Sequence, residues 1–84
     1  LFEQAIILLR AAVESNPQYS AAWKRLGKAR SEGGRQAEAL AAYERGIVIA
    51  ESRGDIQAAR EMTVFARRLR RQLPSSENGS IKAC

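Results

Sequence analysis

The stretch AAWKRLGKARSEGGRQAEALAAYERGIVIA, Ala21 to Ala50, decides the fold. In its first half Ala22, Trp23, Leu26, Gly27 and Ala29 recur at intervals that gather them on one side of a helix. Gly33 and Gly34 then interrupt the pattern, supplying a left-handed helix cap and a tight reversal. Beyond the break, Ala39, Leu40, Tyr43, Gly46, Ile47 and Ala50 restore the same periodicity over about residues 36–52. Two antiparallel helices result. Ala39 and Gly46 are small where a neighbouring helix must come close, so their size reads as a packing requirement.

Helices extend in both directions from this hairpin. Upstream, residues 1–15 place Phe2, Ala5, Ile6, Leu9, Ala12 and Val13 on one side of a helix, which Ser15-Asn16-Pro17 stops. The helix over about 20–32 is expected to start under the hydroxyl of Ser20, acting as cap. Downstream, Ser52 to Asp55 reads as a turn and Asp55 as the cap of a fourth helix over about 55–73. Its apolar positions are Ile56, Ala59, Met62, Phe65, Ala66, Leu69 and Leu73, and Pro74 ends it. The reading is an all-α domain over residues 1–73 followed by a mobile tail at 74–84.

With 84 residues there is room for one small domain, burying only about 60–65% of its extended surface. No run approaches the roughly 18 apolar residues a membrane span needs, and the start lacks a basic leader and a cleavage site, so a soluble, cytoplasmic chain is the expectation. The first residue is Leu1, already inside an apolar periodic run, which suggests a processed chain or a piece of something longer. A single cysteine, Cys84, excludes an internal disulfide; without any histidine the usual zinc sets and the Ser/His and Cys/His pairs cannot be assembled. No catalytic constellation, metal or cofactor is expected. Of the net charge of +5, the segment Arg60 to Arg71 carries +4, five arginines against one glutamate.

Shifting the chain by 34 residues lays Ala5, Ile6, Leu9, Ala12 and Val13 onto Ala39, Leu40, Tyr43, Gly46 and Ile47, with side-chain size class kept. That period, with Trp23, Leu26, Gly27, Gly34, Ala39, Tyr43 and Gly46 at their spacing, resembles the tetratricopeptide repeat (TPR) family. Pro17 falls where that family closes a repeat. The resemblance implies an α-solenoid of about one and a half repeats: residues 1–15 as the second helix of one repeat, 20–52 as a complete repeat, and 55–73 as a capping helix. Arg30 stands where the family usually has an aromatic and Glu51 where it has the closing proline; the fourth helix follows the pattern poorly, as a solvent-facing end would. Trp23 then fills the wedge between its own helix and the next, for about 2–3 kcal/mol of apolar burial.

In TPR proteins the first helix of each pair lines a concave face that receives peptide segments, which assigns peptide binding to Ala21, Lys24, Lys28 and Ser31. Lys24 and Lys28, four residues apart, repel by a few tenths of a kcal/mol, which an acidic ligand would relieve. The family's carboxylate clamp is only partly present, and the alternative is a solvated lysine face. A second candidate is FARRLRRQL, Phe65 to Leu73, where Arg67, Arg68, Arg70 and Arg71 surround Leu69 and suit nucleic acid or an anionic membrane surface. Cations at a helix C-terminus are also favoured by the dipole alone. Third, Ile7 and Leu8 lie off the counted stripe and call for cover, either in a homodimer or by further repeats of a longer chain. The expected function is a noncatalytic protein-interaction module or scaffold, with a basic adaptor for nucleic acid as the alternative.

Overall fold

The computed structural model describes residues 2–73, apart from the side chain of Phe2. The tail, with Cys84, lies outside the described residues. The chain forms α1 (Phe2–Ser15), α2 (Ser20–Glu32), α3 (Gln36–Ser52) and α4 (Ile56–Gln72). Connections of four, three and three residues make successive helices antiparallel neighbours. The molecule measures 38 × 32 × 18 Å, and 18 Å is the thickness of two helical layers.

The two later turns are built alike. After α2, Gly34 adopts φ +81°, its N–H donates to the Ser31 carbonyl and the N–H of Arg35 reaches back to Arg30. After α3, Gly54 at φ +77° bonds to Glu51 and Asp55 reaches back to Ala50. A Cβ at either glycine would meet nothing within 4 Å, so the left-handed backbone, not space, calls for glycine there.

Asp55 caps α4, its carboxylate accepting from the Ala58 N–H at 3.4 Å. Ser20 does not cap α2, whose N-cap is Tyr19 with no side-chain bond. The Ser20 hydroxyl is buried and donates to the same Asp55 carboxylate at 3.3 Å, tying the start of α2 to the start of α4. The Tyr19 carbonyl takes the Ala22 N–H instead, so the turn closes through backbone. At the far end of α4, Leu73 is extended at ψ 149°, as a residue before proline must be.

The core has two lobes that meet at α3. Ile6 and Val13 of α1 pack with Ala22, Leu26 and Ala29 of α2 and Ala42 of α3. Ala39, Tyr43 and Ala50 of α3 pack with Ala59, Met62, Ala66 and Leu69 of α4. Because helices flank α3 on two sides, its buried arc is wider than one stripe: Ala42 and Ile49 are buried, whereas Leu40 and Ile47 are only half-buried. Ala12 of α1, expected in the core, is exposed. Ile7 and Leu8 are 64% and 70% exposed.

Trp23 sits in the wedge between α2 and α3. A Cβ added at Gly46 would lie 2.9 Å from the Trp23 Cβ, so the glycine is what lets α3 approach. The indole N–H donates to the Pro17 carbonyl at 2.9 Å, and the Arg45 guanidinium lies over the ring, 5.8 Å from its centre. Arg30, in the place of the family's aromatic, spans the same helix pair by donating to the Glu38 carbonyl at 3.1 Å.

Candidate peptide-binding groove

Helices α2 and α4 lie on opposite sides of α3's edge and also touch each other. Between them runs an open groove. One section, about 500 Å³, is lined by Lys24 of α2 and by Glu61, Val64, Phe65 and Arg68 of α4. An adjoining section, about 190 Å³, is lined by Ser31, Tyr43, Phe65, Arg68, Leu69 and Gln72. Phe65 and Arg68 belong to both. The Phe65 ring stacks on Tyr43, centroids 5.4 Å apart and planes 24° apart, which fixes an apolar floor. Burial pushes the Tyr43 phenol above its ordinary pKa, with the nearby Glu32 charge adding to it, so the floor stays uncharged.

Of the four α2 residues assigned to this face, Lys24 and Ser31 line the groove and Lys28 lies on the same helical stripe between them, exposed. Ala21 borders a separate hollow near Ser20 and Asp55. The two lysines are not equivalent. Lys24 donates a short ion-paired hydrogen bond to Glu61 across the groove, and this bond, then the Lys24 charge, holds the Glu61 carboxyl below the usual carboxylate range against a smaller effect of desolvation. Glu61 thus takes the place of an acidic ligand at Lys24. Lys28 and Arg68 form no ion pair among the described residues.

The depressed Glu61 pKa has a definite sign. The folded value lies below the unfolded one, so the pair's contribution is present above the ordinary carboxylate range and is lost as pH falls through the folded value. In an NMR titration the Glu61 carboxyl is expected to protonate below the ordinary range for a glutamate. Lys24→Met should return it towards that range; an ordinary midpoint in the unaltered chain would show that the pair does not persist in solution.

The four arginines of the cluster are all exposed and stand in three settings. Arg68 faces the groove, Arg70 pairs with Glu44 of α3 at 2.7 Å, and Arg67 lines a hollow on another side of α4 with Ile56 and Arg60. Arg71 is exposed one turn beyond Arg67. Neighbouring positions on a helix point some 100° apart, so a run of sequence charge is divided among faces.

A family profile described as the bacterial transcriptional activator domain (BTAD) matches residues 2–73. The chain belongs to this family. It is 51% identical over 69 residues to a TPR repeat-containing protein of Pseudomonas aeruginosa, an overlap of 82% of this chain and 66% of the relative. It is also similar to a protein of Bordetella parapertussis solved in solution, with a TM-score of 0.76 and 48% identity over 84% of this chain and 62% of that one. The chain therefore spans just under two thirds of each relative's length. The TPR resemblance is shown by the named relative and by the helical architecture.

Within this BTAD chain the groove contains residues that reading the sequence did not single out. Glu61 was counted only against the arginines, and Phe65 only as core. Yet Glu61, Phe65, Arg68 and Gln72 recur at intervals of four, three and four along α4, the same kind of stripe as Lys24, Lys28 and Ser31 on α2. Among the described residues no helix is long and apolar enough to cross a membrane, and no group of three His, Cys, Asp or Glu is placed to hold a metal ion.

Proposed function

We propose that this chain is a noncatalytic protein-interaction module that receives a peptide segment of a partner in the α2/α4 groove. The observation that carries the reading is the pairing of an uncharged aromatic floor, Phe65 on Tyr43, with two cations that form no ion pair among the described residues, Lys28 and Arg68. An apolar ligand side chain rests on Phe65 while ligand carboxylates meet Lys28 and Arg68; Lys24, occupied by Glu61, shapes the entrance. The description of the family as part of transcriptional activators, and the naming of a relative for TPR repeats, support a role in assembling proteins.

A fluorescence-anisotropy titration with short acidic peptides carrying one aromatic or leucine residue tests this. Lys28→Ala/Arg68→Ala is expected to weaken binding by about tenfold or more, because each charge-assisted hydrogen bond contributes roughly 1.5–3 kcal/mol. Both positions are exposed, so folding should be unchanged. Equal affinity for the unaltered and doubly substituted chains would remove the groove from the account.

A further inference from the structure

The charged groups of this molecule divide into two sets. Arg30, Arg35 and Arg70 are each matched with a carboxylate of the chain: Glu38, Glu3 and Glu38, and Glu44. Arg60, Arg67 and Arg71 form no ion pair among the described residues, as is also true of Lys28, Arg68, Arg10, Arg25, Arg45 and Arg53. Arg60, Arg67 and Arg71 are not scattered. With Ile56 and Val64 they recur along α4 at intervals of four, four, three and four, a single stripe about 22 Å long at 1.5 Å per residue. Ile56 and Val64 are 52% and 45% exposed, although the opposite side of the helix is buried against α3 through Ala59, Met62, Ala66 and Leu69. Ile56, Arg60, Val64 and Arg67 line one open hollow of about 510 Å³, with Glu51 the one carboxylate in its lining among the described residues.

We propose that this face of α4 is a second docking surface, taking an amphipathic helix of a partner protein whose apolar stripe is flanked by carboxylates. Each part of the surface asks for one part of that ligand. Ile56 and Val64, two turns apart with Arg60 between them, are exposed apolar contacts along the α4 axis, which a second helix covers by ridge-into-groove packing. Arg60, Arg67 and Arg71 share the stripe with Ile56 and Val64 and need anionic partners along it; Glu51, which lines the hollow with Arg60 and Arg67, forms no ion pair with them among the described residues. A nucleic acid or other polyanion would satisfy the arginines but leave Ile56 and Val64 uncovered, so the apolar residues favour the helix. The surface is separate from the α2/α4 groove except at Val64, which borders both.

The test uses the whole chain and two fluorescent peptides of roughly 18 residues, about five helical turns. They share one composition of Leu, Glu, Ala and Gln. One places Leu on a single stripe flanked by Glu; the other shuffles the same residues so that no stripe forms. At physiological ionic strength the striped peptide is expected to bind at least about tenfold more tightly than the shuffled one. Because the α2/α4 groove also takes acidic peptides, every titration is made in the Lys28→Ala/Arg68→Ala chain; there Ile56→Ser/Arg67→Gln should weaken the striped peptide by a similar factor at an unchanged melting midpoint. Arg60→Glu/Arg67→Glu, which spares Ile56 and Val64, repeats the test through charge alone. Equal binding of the two peptides, undiminished binding after either further substitution, or tighter binding of a single-stranded oligonucleotide to this face would overturn the proposal. Failure of the α2/α4 groove leaves all of these readouts in place.

Discussion

Leu26→Ala is expected to lower the unfolding free energy by about 2–5 kcal/mol, the cost of deleting a buried leucine and leaving part of its volume empty. Leu26 and Met62 are the largest side chains in the molecule with almost no exposed surface, and Leu26 is 1% exposed. It lies where α1, α2 and α3 converge, against Ile6, Val13 and Ala42. A site bounded by three helices collapses poorly around a missing side chain, because moving one helix inward opens contacts with another. For about 70 ordered residues the whole stability is of the order of 4–11 kcal/mol. One substitution therefore removes a large share of it, and urea unfolding monitored by far-ultraviolet circular dichroism measures the loss. A change below about 0.5 kcal/mol would show that the first lobe of the core is not packed as described.

Gly46→Ala should destabilise the chain by about 1–3 kcal/mol, although alanine is the better helix former by about 0.5–1 kcal/mol. The added Cβ would lie 2.5 Å from the Met62 sulfur and 2.9 Å from the Trp23 Cβ. The methionine tip can move, but the tryptophan Cβ is fixed by its own helix, so α2 and α3 must separate. Gly46 thus lets α3 lie close to α2 and to α4 at once. Thermal unfolding should show a midpoint lowered by roughly 4–8 °C per kcal/mol. A raised midpoint would mean that helix propensity outweighs the contact and that the helices are farther apart than stated.

The elements were legible in the sequence because their signals are local. Apolar spacing, Pro17, Gly34, Gly54 and Asp55 act within a turn of where they sit, and the helices begin and end within about a residue of where those signals place them. What was not legible depends on how separate helices meet. Ser20 has the chemistry of a cap, yet its hydroxyl finds Asp55, 35 residues away. Lys24 and Lys28 look alike in sequence, but only Lys24 reaches Glu61, because the packing of α4 on α3 brings Glu61 across the groove. The four arginines after Phe65 read as one basic patch, whereas Arg67 and Arg71 share an outer stripe, Arg68 lines the α2/α4 groove and Arg70 pairs with Glu44. The buried Ile49 lies outside the single stripe that the spacing marks on α3, because α3 is covered on two sides.

The central functional claim is that the α2/α4 groove is where a partner peptide lies. The most direct measurement is an NMR titration of the isotopically labelled chain with an acidic peptide containing one aromatic residue. The account predicts amide shifts concentrated on Lys24 to Ser31 and Glu61 to Gln72, with Phe65 ring protons moving and α1 silent. Shifts centred on α1 or on the outer side of α3, or none at saturating peptide, would contradict it.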